Sequence, residues 1–147
     1  MSLDQPDSFV KHQTVTRDAF LGGRLTVSQP RHGFRAGLDS VLLGAAVDPS
    51  RKQLLDLGSG VGTASLVALR FNEDLRATLV ERDPDMLALA QHNLEANEMA
   101  ARATTIALDV TARGAERLAR LGRPVKLMIG GITGWLDEGF SLATGGT

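Results

Sequence analysis

The sequence predicts an α/β domain with a parallel sheet and helices on both faces. Short apolar runs alternate with segments of helical period about ten residues long. The first clear apolar run, Leu54-Leu55-Asp56-Leu57, breaks into Gly58-Ser59-Gly60-Val61-Gly62, with three glycines at every second position. Acidic residues stand at the ends of successive runs: Asp56, Glu81 and Asp109. Strands that alternate with helices pair in parallel through right-handed crossovers.

Residues 1–17 are polar and without a clear period, and are expected to form a flexible N-terminal arm ahead of a domain over residues 18–147. Arg24–Gln29 alternates and carries β-branched residues, so it reads as a short strand ended by Pro30 and Gly33. From Leu38 to Val47 the residues Leu38, Val41, Leu42 and Ala45 recur at helical spacing, and Asp48-Pro49 closes that helix. Gln53–Leu57 reads as a buried strand, Thr63–Phe71 as a helix and Ala77–Glu81 as a second strand. Asp83-Pro84 starts a helix, because aspartate caps and proline suits the first helical position. Met86, Leu87, Ala90 and Leu94 are its expected apolar face. Ala103–Leu108 follows as a third strand, Ala112–Leu121 as a helix and Pro124–Ile129 as a fourth strand. That makes a sheet of about four strands.

Composition narrows the function classes. The chain has 147 residues, enough for one domain, and its 43% hydrophobic content describes an ordinary soluble protein with a core to bury. No apolar run is long enough to span a bilayer and no leader pattern is visible, so a cytoplasmic protein without membrane contact is expected. The sequence contains no cysteine, which excludes disulfides, thiolate metal sites and thiol nucleophiles. His12, His32 and His92 lack ligand spacing, so no metal site is expected and they read as surface residues. The net charge of −1 is unevenly spread. Lys11, Arg17, Arg24, Arg31 and Arg35 face only Asp18 in the segment from Lys11 to Arg35. Such a segment can meet phosphate, and it can equally be a set of solvated faces.

Glycines permit positive φ and leave room for a ligand against the backbone at the carboxyl end of a sheet. The spacing is not the dinucleotide fingerprint, since Thr63 stands where its last glycine belongs, and no Gly-Lys-Ser/Thr follows to make a phosphate loop. A tight strand-to-helix connection would also use such glycines. The carboxylates favour a ligand. Asp56, Glu81 and Asp109 would share one sheet edge, and an acid at the second strand end can take two hydrogen bonds from a ribose diol.

Asp56-Leu57-Gly58-Ser59-Gly60-Val61-Gly62, Val80-Glu81-Arg82-Asp83 and Leu108-Asp109-Val110 resemble the cofactor motifs of class I S-adenosylmethionine-dependent methyltransferases, which have a Rossmann-like fold. The resemblance implies that Gly58, Ser59, Gly60 and Gly62 border the methionine part of the cofactor with Asp56 nearby. It implies that Glu81 holds the ribose hydroxyls beside Arg82, and that Asp109 meets the adenine amino group beside Val110. The segment from Gln29 to Leu43, QPRHGFRAGLDSVLL, is similar to tRNA adenine-N6 methyltransferases acting on valine tRNA, in the methyltransferase small domain group. There it helps to close the cofactor pocket, which adds Arg35, Gly37 and Asp39 as secondary candidates.

The resemblance is lost after about residue 122. Amino methyltransferases of this group end their fourth strand in Asn-Pro-Pro-Tyr or Asn-Pro-Pro-Phe, where side-chain and backbone acceptors hold the exocyclic amine and the ring stacks on the base. Here Val125–Ile129 is followed by Gly130-Gly131-Ile132-Thr133-Gly134-Trp135, no two prolines are adjacent, and the last asparagine is Asn97. The expectation is a truncated or frame-altered enzyme whose catalytic residues are unknown, with an exposed sheet edge that a second copy could cover. Three functions fit: a tRNA or other nucleic-acid adenine methyltransferase, a non-catalytic S-adenosylmethionine or nucleoside-binding module, and a methyltransferase for a protein or small-molecule acceptor.

Overall fold

The computed structural model describes residues 14–109. The expected arm before residue 14, Val110, the helix Ala112–Leu121 and the strand Pro124–Ile129 lie outside the described residues.

Two strands precede the parallel sheet. β1 (Val15–Phe20) and β2 (Leu25–Pro30) pair antiparallel, with Val15 opposite Pro30 and Phe20 opposite Leu25. The reversal at Leu21–Gly23 uses positive φ at Gly22 and Gly23, 65° and 87°. β1 corrects the expected arm of residues 1–17, because Val15, Thr16 and Arg17 already belong to a strand. Its alternation is real but polar: Val15, Arg17 and Ala19 are exposed, while Thr16, Asp18 and Phe20 are half-buried. Nothing in that composition demands burial. Its partner strand does, since Leu25 and Val27 are fully buried in the core.

α1 (Leu38–Ala45) follows, then β3 (Gln53–Leu57), α2 (Thr63–Phe71), β4 (Arg76–Glu81), α3 (Pro84–Ala96) and β5 (Ala103–Ala107). β4 lies between β3 and β5, all parallel, with Leu55 opposite Thr78 and Leu79 opposite Thr105. Successive right-handed crossovers that step in one direction put α2 and α3 on the same face of the sheet. The core on that face is built from Leu66 and Leu69 of α2, Leu79 of β4, Leu94 of α3 and Leu25 of β2.

α3 starts as its sequence demands: the Asp83 carboxylate accepts hydrogen bonds from the Asp85 N–H at 2.9 Å and the Met86 N–H at 3.4 Å, with Pro84 in the first turn. Its inner face is Leu89, Ala90, Asn93 and Leu94, so Leu89 replaces the expected Leu87. The two asparagines on this helix complete β2. Asn93 Oδ1 accepts from the Ser28 N–H at 2.7 Å and its Nδ2 donates to the Ser28 carbonyl at 2.9 Å. One turn later Asn97 treats Thr26 in the same way, at 3.0 and 2.7 Å. Two side-chain amides thus stand where a neighbouring strand would pair, and the buried edge of β2 keeps its hydrogen bonds.

α1 packs on α2 through its smallest residue. A β-carbon at Gly44 would lie 2.3 Å from the Ala64 carbonyl oxygen and 2.7 Å from Val67 Cβ. The apolar face expected from periodicity is therefore displaced: Val41 is half-buried against the core, while Leu38 and Leu42 are 72% and 60% exposed. At the other end of α2, the Arg102 guanidinium donates to the carbonyls of Leu69 and Asn72 at 3.0 Å, Glu73 at 3.2 Å and Leu75 at 3.3 Å. A planar, permanently charged fork satisfies the open carbonyls of a helix C-terminus.

Candidate functional site

The site forms where β3 and β4 end and the chain turns into α2. The N–H groups of Gly58 and Ser59 both donate to the Val80 carbonyl, at 2.8 and 3.0 Å, so the turn folds over the end of β4. Gly58, Gly60 and Gly62 all have positive φ, at 72°, 54° and 86°. Their surroundings divide them. A β-carbon at Gly58 or Gly60 meets nothing within 4 Å, whereas one at Gly62 would lie 2.9 Å from Leu79 Cδ2 and 3.5 Å from Ala90 Cβ. Gly58 and Gly60 keep open space next to the backbone. Gly62 is needed for the fit of α2, α3 and β4.

Glu81 locks this turn. Its Oε2 accepts from the Gly60 N–H at 3.0 Å, and its Oε1 accepts from the N–H groups of Arg82 and Asp83 at 2.8 and 2.9 Å. Oε1 is thereby filled, and Oε2 retains a lone pair for one more donor. Asp56, at the end of β3, accepts from the Ser65 hydroxyl at 2.6 Å. Burial pushes the Asp56 carboxyl above its ordinary value, the Ser65 hydrogen bond pulls it back, and the neighbouring Glu81 charge pushes it further up. The Ser59 and Thr63 hydroxyls are buried without a hydrogen-bond partner among the described residues.

Beyond Glu81 an open cleft is lined by Arg82, Asp83, Ala107, Leu108 and Asp109. Arg82 Nη1 lies 3.8 Å from Asp109 Oδ2 across it, with both side chains largely exposed. The three expected carboxylates are thus brought to one edge: Asp56 under the turn, Glu81 against it, and Asp109 across the cleft.

The secondary candidates behave differently. Arg35 donates to the Asp18 carboxylate, to Thr16 Oγ1 at 2.9 Å and to the Pro30 carbonyl at 2.6 Å. Gln29, fully buried, donates to Asp18 at 2.6 Å and accepts from the Ala36 N–H at 2.9 Å. The Gln29 hydrogen bond leads the interactions that hold the Asp18 carboxyl below its ordinary value, with Thr16 and Arg35 adding to it against a cost of burial. Arg35 therefore ties the segment after β2 to the hairpin. Asp39 is exposed in the first turn of α1, just beyond Gly37 at the N-cap. Val110 falls outside the described residues.

Sequence reasoning missed Asn93, Ser65, Gln29 and Asp18. For Asn93 a signal existed, an amide four residues before Asn97 on an otherwise apolar stripe. For the others the partners are remote in sequence or ordinary in type. His32 and His92 are exposed, and among the described residues no group of three or more His, Asp or Glu could hold a metal ion. No helix among them is long and apolar enough to cross a membrane.

A tRNA1(Val) (adenine(37)-N6)-methyltransferase of Actinobacillus succinogenes is 37% identical over 87 residues, which are 58% of this chain and 37% of that protein. The protein of the same name from Enterobacter sp. strain 638 is 30% identical over 120 residues, 80% of this chain and 47% of its own. The chain thus spans less than half the length of these curated relatives. In fold it is similar to a SAM-dependent methyltransferase from Agrobacterium tumefaciens, with a TM-score of 0.58 and 19% identity over 74% of this chain and 36% of the other. P. horikoshii TYW2, solved in complex with MeSAdo, gives 0.57 and 18% over 67% and 37%. Residues 37–119, more than half of the chain and including the glycine turn, Glu81 and Asp109, match the methyltransferase small domain, and the chain belongs to that family.

Proposed function

We propose that residues 14–109 carry the S-adenosylmethionine site of a methyltransferase whose acceptor is an adenine of tRNA. The observation that carries the reading is the glycine turn held against Glu81. Open space over Gly58 and Gly60 would admit the amino-acid part of the cofactor, the free lone pair of Glu81 Oε2 would accept a ribose hydroxyl, and the cleft from Arg82 to Asp109 would take the adenine. When bound, the cofactor supplies a methyl group on a positively charged sulfur. The chain's own residues do the positioning. Glu81 fixes the turn through the Gly60 N–H, and Asp56, shielded by Ser65, keeps a carboxyl beneath it. The acceptor class is supported by the names of the curated relatives and by the arginines around the hairpin. A cytoplasmic location accords with that substrate.

A second reading has its own support. The sequence has no adjacent prolines and no asparagine after Asn97, so the element that seats the amine in related amino methyltransferases is not among its residues. Binding of S-adenosylmethionine without turnover fits that fact. A homodimer formed along a sheet edge belongs to the same reading.

Calorimetric titration of the chain with S-adenosylhomocysteine tests the site, with Gly60→Val as the control, since a β-branched side chain at φ 54° fills the open space and strains the turn. Saturable binding lost in the variant is expected. A folded chain that binds nothing would remove the cofactor reading. Methyl transfer to tRNA, assayed next, separates enzyme from binding module, and sedimentation separates monomer from dimer.

A further inference from the structure

We infer that the loop Arg31–Arg35 is an RNA contact at the rim of the glycine turn, with the Phe34 ring stacking on an unpaired base and Arg31 meeting a phosphate. The inference rests on the reading of an RNA acceptor and names the residues that would hold it.

The strand that leads into the loop is anchored beside the site. Asn93 Nδ2 donates to the Ser28 carbonyl and to the Val61 carbonyl, so the end of β2 and the glycine turn share one amide. Arg35 holds the loop base to Asp18, Thr16 and Pro30, and Gln29 holds Ala36. The loop is therefore braced from beneath, and its tip carries what remains: Arg31, His32 and Phe34, all exposed, lifted on Gly33 at φ 92°.

Phe34 is 81% exposed, more than any other large apolar residue described. An aromatic ring has a face that any base can stack on, and single-stranded RNA is recognised chiefly by such stacking together with backbone charge. The charge is present. From residue 14 to residue 38 there are four arginines, Arg17, Arg24, Arg31 and Arg35, against one acid, Asp18. Asp18 is engaged by Arg35, and neither Arg17 nor Arg31 has an ion-pair partner among the described residues. A second copy of this chain is the rival occupant, since exposed Leu38 and Leu42 continue from Phe34 along α1. Arg31, three residues from the ring in the same loop and without an ion-pair partner among the described residues, favours RNA, because two copies would bring such charges together.

The test uses the full chain and a fluorescent single-stranded, adenine-containing oligoribonucleotide, read by anisotropy, with S-adenosylhomocysteine titrated in parallel. Phe34→Leu keeps the apolar volume and removes the ring, and is expected to weaken RNA binding about tenfold, measured with S-adenosylhomocysteine saturating so that any change in its affinity does not enter. Phe34→Trp should restore it. Arg31→Gln should lower the slope of log affinity against log salt by about one. If the wild type binds RNA and Phe34→Leu binds it equally well, the loop assignment is overturned and the RNA reading stands. If the wild type binds S-adenosylhomocysteine but no RNA, the RNA reading itself fails and takes the loop with it. A dimer that Phe34→Leu or Leu42→Ser disperses, with RNA affinity unmoved, would make the stripe a self-interface and overturn the inference.

Discussion

Replacing Asn93 tests whether a side-chain amide can stand in for a strand. Asn93 is fully buried and makes three hydrogen bonds to backbone groups of other elements: the Ser28 N–H, the Ser28 carbonyl and the Val61 carbonyl. Each buried group left unpaired costs about 1–3 kcal/mol, so losing all three should cost roughly 3–9 kcal/mol. That is a large part of the ~5–15 kcal/mol that holds a domain folded. Two variants separate the causes. Asn93→Leu fills the space and excludes water, so it should show the full loss; Asn93→Ala leaves room for a water that can rescue part of it. Urea unfolding gives both values by linear extrapolation. Hydrogen exchange at Ser28 should accelerate in both variants before that of β4 does, because β2 is released first. A loss below about 1 kcal/mol in Asn93→Leu would refute the reasoning, since unpaired buried carbonyls cannot be that cheap.

Three further outcomes are expected. Gly60→Ala should cost only the left-handed backbone penalty of about 1–2 kcal/mol, whereas Gly62→Ala adds the displacement of Leu79 and should cost roughly 2–5 kcal/mol in urea unfolding. For Asp56, whose folded carboxyl titrates above its ordinary value, the native state holds the proton more tightly than the unfolded chain. Stability therefore falls as pH rises through the window just above the ordinary carboxylate value, and unfolding curves across that window should show Asp56→Asn losing this slope. Arg102→Lys keeps the charge but cannot reach four carbonyls at once, and should cost about 1–2 kcal/mol, read as a lowered midpoint of thermal unfolding.

What the sequence made legible was local. β3 and α2 were expected with the bounds they have, because an apolar run, a glycine turn and a helical stripe follow one another without interruption. α3 was legible from Asp83-Pro84, a cap that acts within one turn. The failures share a cause. The inner face of α1 depends on Gly44, and periodicity weights a leucine above a glycine, although the glycine is what allows α2 to approach. β1 is half polar and owes its order to pairing with β2, whose buried edge in turn keeps its hydrogen bonds through amides some 65 residues away. Of the site, the positions of Asp56, Glu81 and Asp109 at one edge follow from strand ends. The division of labour among the three glycines does not, because identical residues at equal spacing face open space in two cases and a packed helix in the third.

That division points to α3 as the element on which the site depends. Ala90 lies against Gly62, Asn93 one turn later holds Val61 and Ser28, and Asp83 at the helix start, two residues past Glu81, donates its N–H to Glu81 Oε1. A single rigid helix therefore sets the close approach beneath the turn, the level of β2 beside it and the backbone donors that Glu81 collects. A β-carbon at Gly62 would displace the Leu79 side chain in the core that β4 shares with α3, so damage at the turn reaches that core through Leu79. A β-carbon at Gly60 meets no such lever. Gly60 can be strained without moving the frame, and Gly62 cannot.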